Sequence, residues 1–536
     1  MADTESIVKR LVLVALSVVP MVLCVAHYDI WLLGFVAWVP LFAACEGQRP
    51  RRALLWGWLT GTFTVFWGFF WMTELLTKFA GFGYVVSLPV TLLFASYHGL
   101  LWGFAMMLTR WLQLRAKVPL WIVAPISWVA IEATLPNIFP IYMAQGWAAQ
   151  PLLIQMADLG GVTTVSAVMV ALNAGIYRLI LGYTRQRRLD LQAAAFTSGL
   201  LVVVIGYGLI RMAQVEAEMQ AAEKFNVGVV QGNMSIMEMT VPKHRHRVLA
   251  EHQRVSAELE QQGAQLVVWG ETAYPNGRVF HRKSEHEPPP DHPWHVRRGF
   301  SIPAIFGTVS REDLKARSCG FRGEKCWNTA ILLGSEGQIV DTYDKVYRLV
   351  FGEYAPIVDP DWYLTQVPSA SHLEQGSGPK ALVLSDHAPP GLVGGVRLGP
   401  FICYEDILPR YVRQTANEGV HLFVNMTNDA WFGKTHEPWQ HLGLAVFRAV
   451  EHRKGMVRAV NTGVSAYIDP VGRASPTIAV TDPDVDGPRP AAGFVAEVPL
   501  MDPDARTLYG LTGELFNVLC LLGVAFIGWR RPGAAG

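Results

Sequence analysis

Long apolar segments separated by short polar ones fill the first two hundred residues. Seven of them approach or exceed the ~18 to 20 residues that a helix needs to cross a bilayer. An eighth closes the chain. They cover residues 8–26, 29–46, 53–76, 83–109, 119–137, 160–184, 191–212 and 514–530. This pattern predicts an α-helical transmembrane bundle of eight spans. The first segment is too long for the apolar part of a signal peptide, so we expect a retained helix.

Short β-branched runs replace this pattern in the middle of the chain, with charged, helix-like stretches between them. Strands are predicted at 225–233, 264–271, 302–310, 328–345, 401–407, 420–429, 464–474 and 493–500, and helices at 243–263 and 437–456. The run 328–345 is typical of a hairpin, because Gly337 supplies a turn. We therefore expect three parts: a bundle of seven helices at 1–213, an α/β domain at 214–500, and a linker with a closing helix at 501–536.

Charge is sparse and unevenly placed. Charged residues make up 17% of the chain against 51% hydrophobic residues, and the formal net charge is +1, which gives no reason to expect nucleic acid as a partner. Basic residues cluster in alternate loops: Lys9, Arg10, Arg49, Arg51, Arg52, Arg110, Arg115, Lys117, Arg185, Arg187, Arg188, Arg530 and Arg531. In the short loops on the opposite side, Lys78 is the only basic residue. The positive-inside rule then predicts cytoplasmic termini and a middle domain on the far side, the periplasm of a bacterium.

Two features of the apolar part allow more than one interpretation. Glu132 lies near the outer end of a predicted span, where a carboxylate either serves a function or reaches interfacial water. Residues 138–161 are too polar and too rich in proline to span, so we expect an outer-face loop.

Six cysteines occur without any metal-type spacing, so no zinc or other metal site is expected. Cys319 and Cys326 bracket a short loop and either form a disulfide, if they face an oxidising compartment, or remain two reduced thiols. Residues 281–295 contain several histidines, but their prolines prevent the helical pairing that a metal would use. We expect a surface loop there that shapes the rim of a site.

Three reactive side chains follow β-like runs: Glu271, Lys345 and Cys403. Singly, each is typical of an ordinary strand end or core position. A thiol with a pKa near 8.5 needs a base or a positive neighbour to react at neutral pH. Glu271 is suited to act as the base, and Lys345 is suited to favour the thiolate and stabilise an oxyanion. Together they predict a nucleophilic site.

This order of glutamate, lysine and cysteine resembles the nitrilase, or carbon-nitrogen hydrolase, superfamily. The resemblance covers about 225–500 and implies a four-layer α-β-β-α sandwich. Together with the membrane segments, several motifs resemble the apolipoprotein N-acyltransferase family: VVQGN (229–233), FGEYAP (351–356), CYEDI (403–407), NMTNDAWFG (425–433), the run 447–472, SWVAIE (127–132) and DLGG (158–161).

The resemblance implies a multi-pass enzyme of the bacterial inner membrane that works by ping-pong acyl transfer without a cofactor. Glu271 would activate Cys403, which takes an acyl chain from a phospholipid, most plausibly phosphatidylethanolamine, as a thioester. The α-amine of a diacylglyceryl apolipoprotein would then receive it. Glu353, Glu405 and Tyr404 are implied as supporting residues. Residues 281–295 and 362–367 are expected to gate entry, and we expect a monomer.

Three other functions remain as alternatives. The nearest is a membrane-anchored amidase or nitrilase-like hydrolase that uses water as the second substrate. An outer module of a transporter and a catalytically dead lipid-binding protein are less favoured, because all three triad residues are present and, apart from Glu132, the spans carry few charges.

Overall fold

The computed structural model describes residues 2–235, 242–275, 280–313, 319, 324–367, 370–390, 392–480 and 489–529. The chain forms two compact units. The first comprises residues 1–73, 83–214 and 507–536, and the second comprises 74–82 and 215–506.

The described helices are numbered here in chain order. They are α1 (Ala2–Leu23), α2 (Val39–Cys45), α3 (Pro50–Gly68), α4 (Trp71–Lys78), α5 (Tyr84–Ala116), α6 (Leu120–Thr134), α7 (Pro151–Ile154), α8 (Ala157–Gly160), α9 (Val162–Leu181), α10 (Leu191–Ala221), α11 (Arg245–Gln261), α12 (Pro360–Gln366), α13 (Pro409–Asn417), α14 (Glu437–His452), α15 (Leu508–Thr512) and α16 (Leu515–Trp529).

The apolar helices of membrane-spanning length lie wholly or mostly in the first unit, while residues 74–78 of α4 and 215–221 of α10 belong to the second. Among the described residues, three helical segments are long and apolar enough to cross a bilayer: Tyr84–Ala116, Val162–Arg185 and Leu191–Ala221. Helices α3 and α4 add a fourth crossing if they count as one span bent by 56°. The predicted helix at 29–46 is instead a 3-10 turn, Trp31–Phe35, followed by α2. Helices α6 and α16 have 15 residues each, about 22 Å at 1.5 Å per residue.

Residues 138–161 differ from the expected outer-face loop. They form the 3-10 turn Met143–Trp147 and the short helices α7 and α8, and much of this segment is buried. Its polar groups find partners inside the unit, as where Ser166 Oγ accepts from Ala144 N at 3.2 Å. Internal hydrogen bonds therefore replace the water that the sequence interpretation had assumed.

Glu132 is buried, with 4% exposure, and does not reach water. Its Oε1 accepts hydrogen bonds from Trp128 Nε1 at 2.9 Å and Ser166 Oγ at 3.2 Å. Of the two interpretations of this carboxylate, the interfacial one is wrong.

The second unit contains twelve described strands, together with the helices that lie between them. They are β1 (Lys224–Gln231), β2 (Leu266–Trp269), β3 (Ala304–Arg311), β4 (Cys326–Leu333), β5 (Ile339–Asp344), β6 (Leu382–Leu384), β7 (Val396–Ile402), β8 (Leu422–Thr427), β9 (Gly455–Val460), β10 (Gly463–Ile468), β11 (Ala474–Val480) and β12 (Ala492–Pro499). Seven of the eight predicted runs contain the expected strands, and the hairpin is confirmed as antiparallel β4 and β5. The strand predicted at 401–407 is wrong over most of its length, because β7 ends at Ile402 and residues 403–407 form a 3-10 turn. Strands β6, β9 and β11 were not predicted.

Two six-stranded sheets result, in the orders β12-β1-β2-β3-β4-β5 and β11-β10-β9-β8-β7-β6. The central strands of each sheet are parallel. Strands β2 and β8 are fully buried and largely apolar, as parallel strands usually are. Backbone hydrogen bonds connect the sheets, from Asn233 N to Asn461 O at 2.8 Å and from Glu271 N to Thr427 O at 3.4 Å. The end of β2 is thereby brought close to the end of β8, whose neighbour in the second sheet is β7.

Cys319 and Cys326 are joined by a disulfide, which closes the loop before β4. The predicted helices at 243–263 and 437–456 are confirmed as α11 and α14, although the second ends earlier, where β9 begins.

Candidate active site

Three strand ends supply the predicted reactive residues. Glu271 lies two residues beyond β2, Lys345 follows β5 directly, and Cys403 follows β7 directly. Each side chain therefore starts from a rigid strand end, which fixes its direction better than a long loop would.

Lys345 lies between two carboxylates. Its Nζ is 3.2 Å from Glu271 Oε1 and 2.9 Å from Glu353 Oε2. The Asn328 side-chain amide donates to both carboxylates, at 2.7 Å to Glu271 and 2.9 Å to Glu353. The Leu349 amide also donates to Glu353, at 2.8 Å. The ammonium is thus fixed in position, and its side chain is only 2% exposed.

Burial and charge set the protonation of this group. Burial alone would lower the pKa of Lys345, but the electrostatic influence of Cys403 and of the Glu271 and Glu353 carboxylates raises it well above its usual value. The ammonium therefore stays charged. Burial, together with the charge of Glu353, raises the pKa of Glu271 above 4.5, although Lys345 and Asn328 oppose that shift. A carboxyl group with a raised pKa is a better general base and a better proton donor near neutral pH.

Cys403 begins the 3-10 turn Cys403–Ile407 and has a φ of +58°. A residue other than glycine in this left-handed region stores about 1 to 3 kcal/mol of strain. The Asn425 side-chain amide donates to the Cys403 carbonyl at 3.0 Å and so helps to hold the turn. Burial and the charge of Glu271 raise the pKa of the thiol well above its usual value, and they outweigh the opposing charge of Lys345. The resting nucleophile is therefore a thiol that needs its base at the moment of attack.

Glu405 connects the lysine loop to the nucleophile turn. Its fully buried carboxylate accepts from Val346 N at 2.7 Å and Tyr347 N at 3.0 Å. It also accepts from Ile402 N at 2.8 Å and from the Tyr343 hydroxyl at 2.7 Å. Burial raises the pKa of Glu405 to about 7 despite these donors. The carboxylate thus acts as a structural bridge and is not free to serve as a base.

Tyr404 lies beside the ammonium. The centroid of its ring is 5.8 Å from Lys345 Nζ, within the range of a cation–π contact. Its hydroxyl donates to the Arg348 carbonyl at 3.1 Å, which fixes the ring.

A second buried network supports the nucleophile turn. Arg458 contacts Asp406 of the turn at 2.5 Å and Asp429 at 3.4 Å, and it donates to Asn425 Oδ1 at 3.1 Å. His441 contacts the same two aspartates, at 2.9 Å from Asp406 and 3.3 Å from Asp429. Burial and the Arg458 charge lower the pKa of His441, but the two aspartates outweigh them and the pKa rises to about 9. Two cations therefore balance two buried anions directly behind Cys403.

Asp429, Glu437 and His441 offer ligand atoms that lie within 4.8 Å of one another. A metal ion there would compete with the Arg458 guanidinium and with a histidine whose two ring nitrogens both face aspartates. The donor set is better explained as the charge-balanced network described above.

The structure brings all six predicted site residues into one region of the second unit. Asn328, Asn425, Asp429, His441 and Arg458 were not predicted. Four of these five lie in the motifs quoted above or in the strand run 328–345, but a polar residue in a motif does not reveal which atom it contacts. His441 lies between two of those motifs, in the predicted helix.

The expected rim segments have distinct structures. Residues 362–367 fall largely in α12, where the Trp362 side chain is 56% exposed. The segment 281–295 is anchored by buried Glu287, which contacts Arg297 Nε at 2.6 Å and accepts from Val296 N at 2.9 Å. The hydrogen bonds and the ion pair of Glu287 thus fix the centre of loop 281–295 in position.

Comparison with known proteins gives two family matches along the chain. Residues 17–175 match the apolipoprotein N-acyltransferase N-terminal domain, and residues 226–479 match the carbon-nitrogen hydrolase family. The apolipoprotein N-acyltransferase of Geobacter metallireducens is 29% identical over 98% of this chain and 96% of its own length. The protein of that name from Bdellovibrio bacteriovorus is 30% identical over 82% of this chain and 80% of its own. The chain belongs to the apolipoprotein N-acyltransferase family.

The apolipoprotein N-acyltransferase family and the hydrolase match together make this chain an acyltransferase with a nitrilase-like α/β domain. Among solved structures, an amidase from Nesterenkonia sp. is similar over 55% of this chain and 96% of its own, at 17% identity and a TM-score of 0.35.

Proposed function

We propose that this N-acyltransferase transfers an acyl chain from a phospholipid to the N-terminal α-amine of diacylglyceryl-cysteine in lipoproteins, through a thioester on Cys403. The observation that carries the mechanism is the arrangement around Lys345. A permanently charged ammonium is fixed by two carboxylates beside a strained thiol, and one of those carboxylates has a raised pKa.

In the first half-reaction Glu271 takes the proton of the Cys403 thiol while the sulfur forms a bond to the acyl carbonyl carbon. The carbonyl oxygen becomes an oxyanion, which Lys345 and backbone N–H groups near Tyr404 stabilise. The ester C–O bond then breaks, and Glu271 returns the proton to the departing glycerol oxygen. The products are a lysophospholipid and the Cys403 thioester. The proposed donor is the sn-1 ester of phosphatidylethanolamine.

In the second half-reaction the α-amine of the lipoprotein attacks the thioester carbonyl. The N–C bond forms, the C–S bond breaks, and Glu271 passes one amine proton to the Cys403 sulfur. Glu353 orients Lys345 in both steps, and Glu405 preserves the spacing between the lysine loop and the nucleophile turn.

The proposed architecture has eight transmembrane spans, seven within 1–213 and one within 501–536, and a four-layer α-β-β-α domain at 214–500. The proposed location is the bacterial inner membrane, with the catalytic domain in the periplasm. Two independent features support that orientation: the placement of basic residues in alternate loops, and the disulfide between Cys319 and Cys326, which favours an oxidising compartment. We propose that the enzyme works as a monomer and that α12 and residues 281–295 border the entry to the site.

The experiment supplies purified full-length protein with phosphatidylethanolamine and a synthetic diacylated lipopeptide. We expect a triacylated lipopeptide and one equivalent of lysophospholipid, and we expect Cys403→Ala to form neither. Cys520→Ala, which removes a thiol from α16, is the matched control and should remain active. Release of free fatty acid alone would identify a hydrolase instead and overturn the proposed acceptor.

A further inference from the structure

The first unit contains a cavity of about 390 Å³ that takes no part in the chemistry described above. Its wall is built from the ends of α2, α5 and α9, the start of α6 and the residues before α10. The volume lies within the range of small-ligand pockets. The wall also contains three basic residues, Arg110 and Lys117 from one predicted basic loop and Arg178 from α9.

The charges of the wall do not cancel. Asp190 contacts Arg178 at 3.1 Å, and Glu46 contacts Arg185 at 2.6 Å, so both carboxylates of the wall are already neutralised. Within the described part of the chain, neither Arg110 nor Lys117 has a carboxylate within 4.0 Å. The guanidinium of Arg110 donates only to neutral acceptors, the Gln48 carbonyl at 3.2 Å and the Gln113 side chain at 2.6 Å. Two positive charges therefore face the cavity without a counter-anion.

A buried hydroxyl adds a third unused donor. Thr109 lines the cavity and is 1% exposed, and among the described residues its Oγ1 has no hydrogen-bond partner. Buried hydroxyl groups without a partner are uncommon and usually indicate a missing water or ligand.

The opening of the cavity is apolar. Leu114 belongs to the wall and is 60% exposed, and Ile122 and Leu191, from the neighbouring helices α6 and α10, are 40% and 73% exposed. A ligand with an anionic head and hydrocarbon chains would match both the charged interior and this apolar surface.

We propose that this cavity binds the phosphodiester headgroup of an anionic phospholipid from the leaflet at this end of the bundle. Arg110 and Lys117 pair with the phosphate oxygens, Thr109 donates a hydrogen bond, and the acyl chains lie along the exposed apolar side chains of α5, α6 and α10. Basic pockets between membrane helices recognise lipid headgroups in this way. The bound lipid is a ligand of the bundle and not the acyl donor, so the site stands or falls independently of the Cys403 thioester.

The test is native mass spectrometry of the detergent-solubilised full chain during titration with dioleoylphosphatidylglycerol. Dioleoylphosphatidylcholine and inorganic phosphate are titrated in parallel. We expect dioleoylphosphatidylglycerol to bind at least about five-fold more tightly than dioleoylphosphatidylcholine, because its headgroup carries about one more unit of negative charge. Arg110→Gln and Lys117→Gln should each weaken its binding by about five-fold. Thr109→Val, which keeps the shape of the side chain, should weaken it by a smaller factor.

Arg51→Gln is the matched control, since Arg51 is exposed, comes from another of the basic loops and does not line the cavity. Lys117 is exposed, so Lys117→Gln tests the site without the local rearrangement that loss of the Arg110 hydrogen bonds brings. Equal binding of the two lipids would overturn the proposal, as would unchanged affinity in both charge variants. Displacement of the lipid by inorganic phosphate at a similar concentration would assign the site to a free anion and also overturn it.

Discussion

At the scale of single residues, burial and neighbouring charges together decide which groups carry protons. The Cys403 thiol keeps its proton because burial and the nearby Glu271 carboxylate raise its pKa beyond what Lys345 can offset. An isolated ammonium close to a thiol would favour the thiolate, as the sequence alone suggested. Two carboxylates instead neutralise the ammonium, so that it is available to stabilise an oxyanion once Glu271 has taken up the thiol proton.

Asn328 should set the pH at which the base works. Its amide donates to Glu271 and thereby lowers a pKa that burial raises. Activity requires ionised Glu271, so it is lost as pH falls through that pKa. In Asn328→Ala we expect the acid limb of kcat/KM to move to higher pH by about 0.5 to 1 unit. Asn226→Ala, which removes a half-buried amide that donates to the Gly263 carbonyl in the same unit, should leave the limb in place. A limb that stays fixed or moves to lower pH in Asn328→Ala would contradict this role.

His441 should make stability depend on pH. Its pKa rises from 6.5 to about 9 in the fold, because two aspartates face it. The stabilisation is therefore complete below pH 6.5 and is lost as pH rises through about 9. We expect the thermal unfolding midpoint of the full chain to fall over that window, and to fall less in His441→Gln. The exposed His286→Gln should behave as the unaltered protein, and a decline in His441→Gln as steep as that of the unaltered protein would refute the assignment.

At the scale of elements, Glu405 joins two strand ends that belong to different sheets. It binds the backbone after β5 through Val346 and Tyr347, and the backbone at the end of β7 through Ile402. The spacing between Lys345 and Cys403 thus depends on one buried carboxylate.

Glu405→Gln should weaken the connection between the backbone after β5 and the end of β7. An amide replaces one accepting oxygen with a donor, so at least one buried N–H or hydroxyl loses its partner at a cost of about 1 to 3 kcal/mol. We expect a lower unfolding midpoint and a fall in kcat of at least ten-fold. Glu418→Gln, an exposed change in the same unit, is the control. Unchanged kcat in Glu405→Gln would show that the bridge does not position the site.

Most strands could be predicted because their apolar and β-branched residues form contiguous runs. Strand β9 could not, since GMVRAV follows a helix with only Arg453 and Lys454 between them and contains a charged residue. Arg458 fits inside that strand because two aspartates neutralise it there. The residues that contact the triad or support its turn could not be predicted either. Asn328, Asn425 and His441 come from separate elements, and only the tertiary structure shows that they lie close together.

At the scale of the whole molecule, hydropathy located the apolar segments but did not predict their secondary structure or their burial. Residues 29–46 are apolar enough for a span, yet they break into a 3-10 turn and the short helix α2. Residues 138–161 were assigned to a loop because of their polarity, yet their polar groups are paired inside the unit. In both cases the arrangement depends on neighbouring helices, which a sliding hydropathy window does not include.

The disulfide gives a test of orientation in intact cells. If Cys319 and Cys326 face the periplasm, a membrane-impermeant maleimide should label neither of them until a reductant is added. Cys326→Ser should make the partly exposed Cys319 available without reductant. All labelling is done in a Cys403→Ala background, which removes the reactive thiol of the active site. Labelling of both cysteines without reductant, or only after cell lysis, would contradict the proposed location of the second unit.

Peptide mass spectrometry of the full-length enzyme tests most directly whether Cys403 carries the acyl chain. Full-length protein is incubated with phosphatidylethanolamine of a single defined acyl composition, without acceptor, and then digested. We expect one acyl group in thioester linkage on the peptide that contains Cys403, released by neutral hydroxylamine and absent from Glu271→Gln. An unmodified Cys403 peptide from an enzyme that still transfers acyl chains to lipopeptide would contradict it.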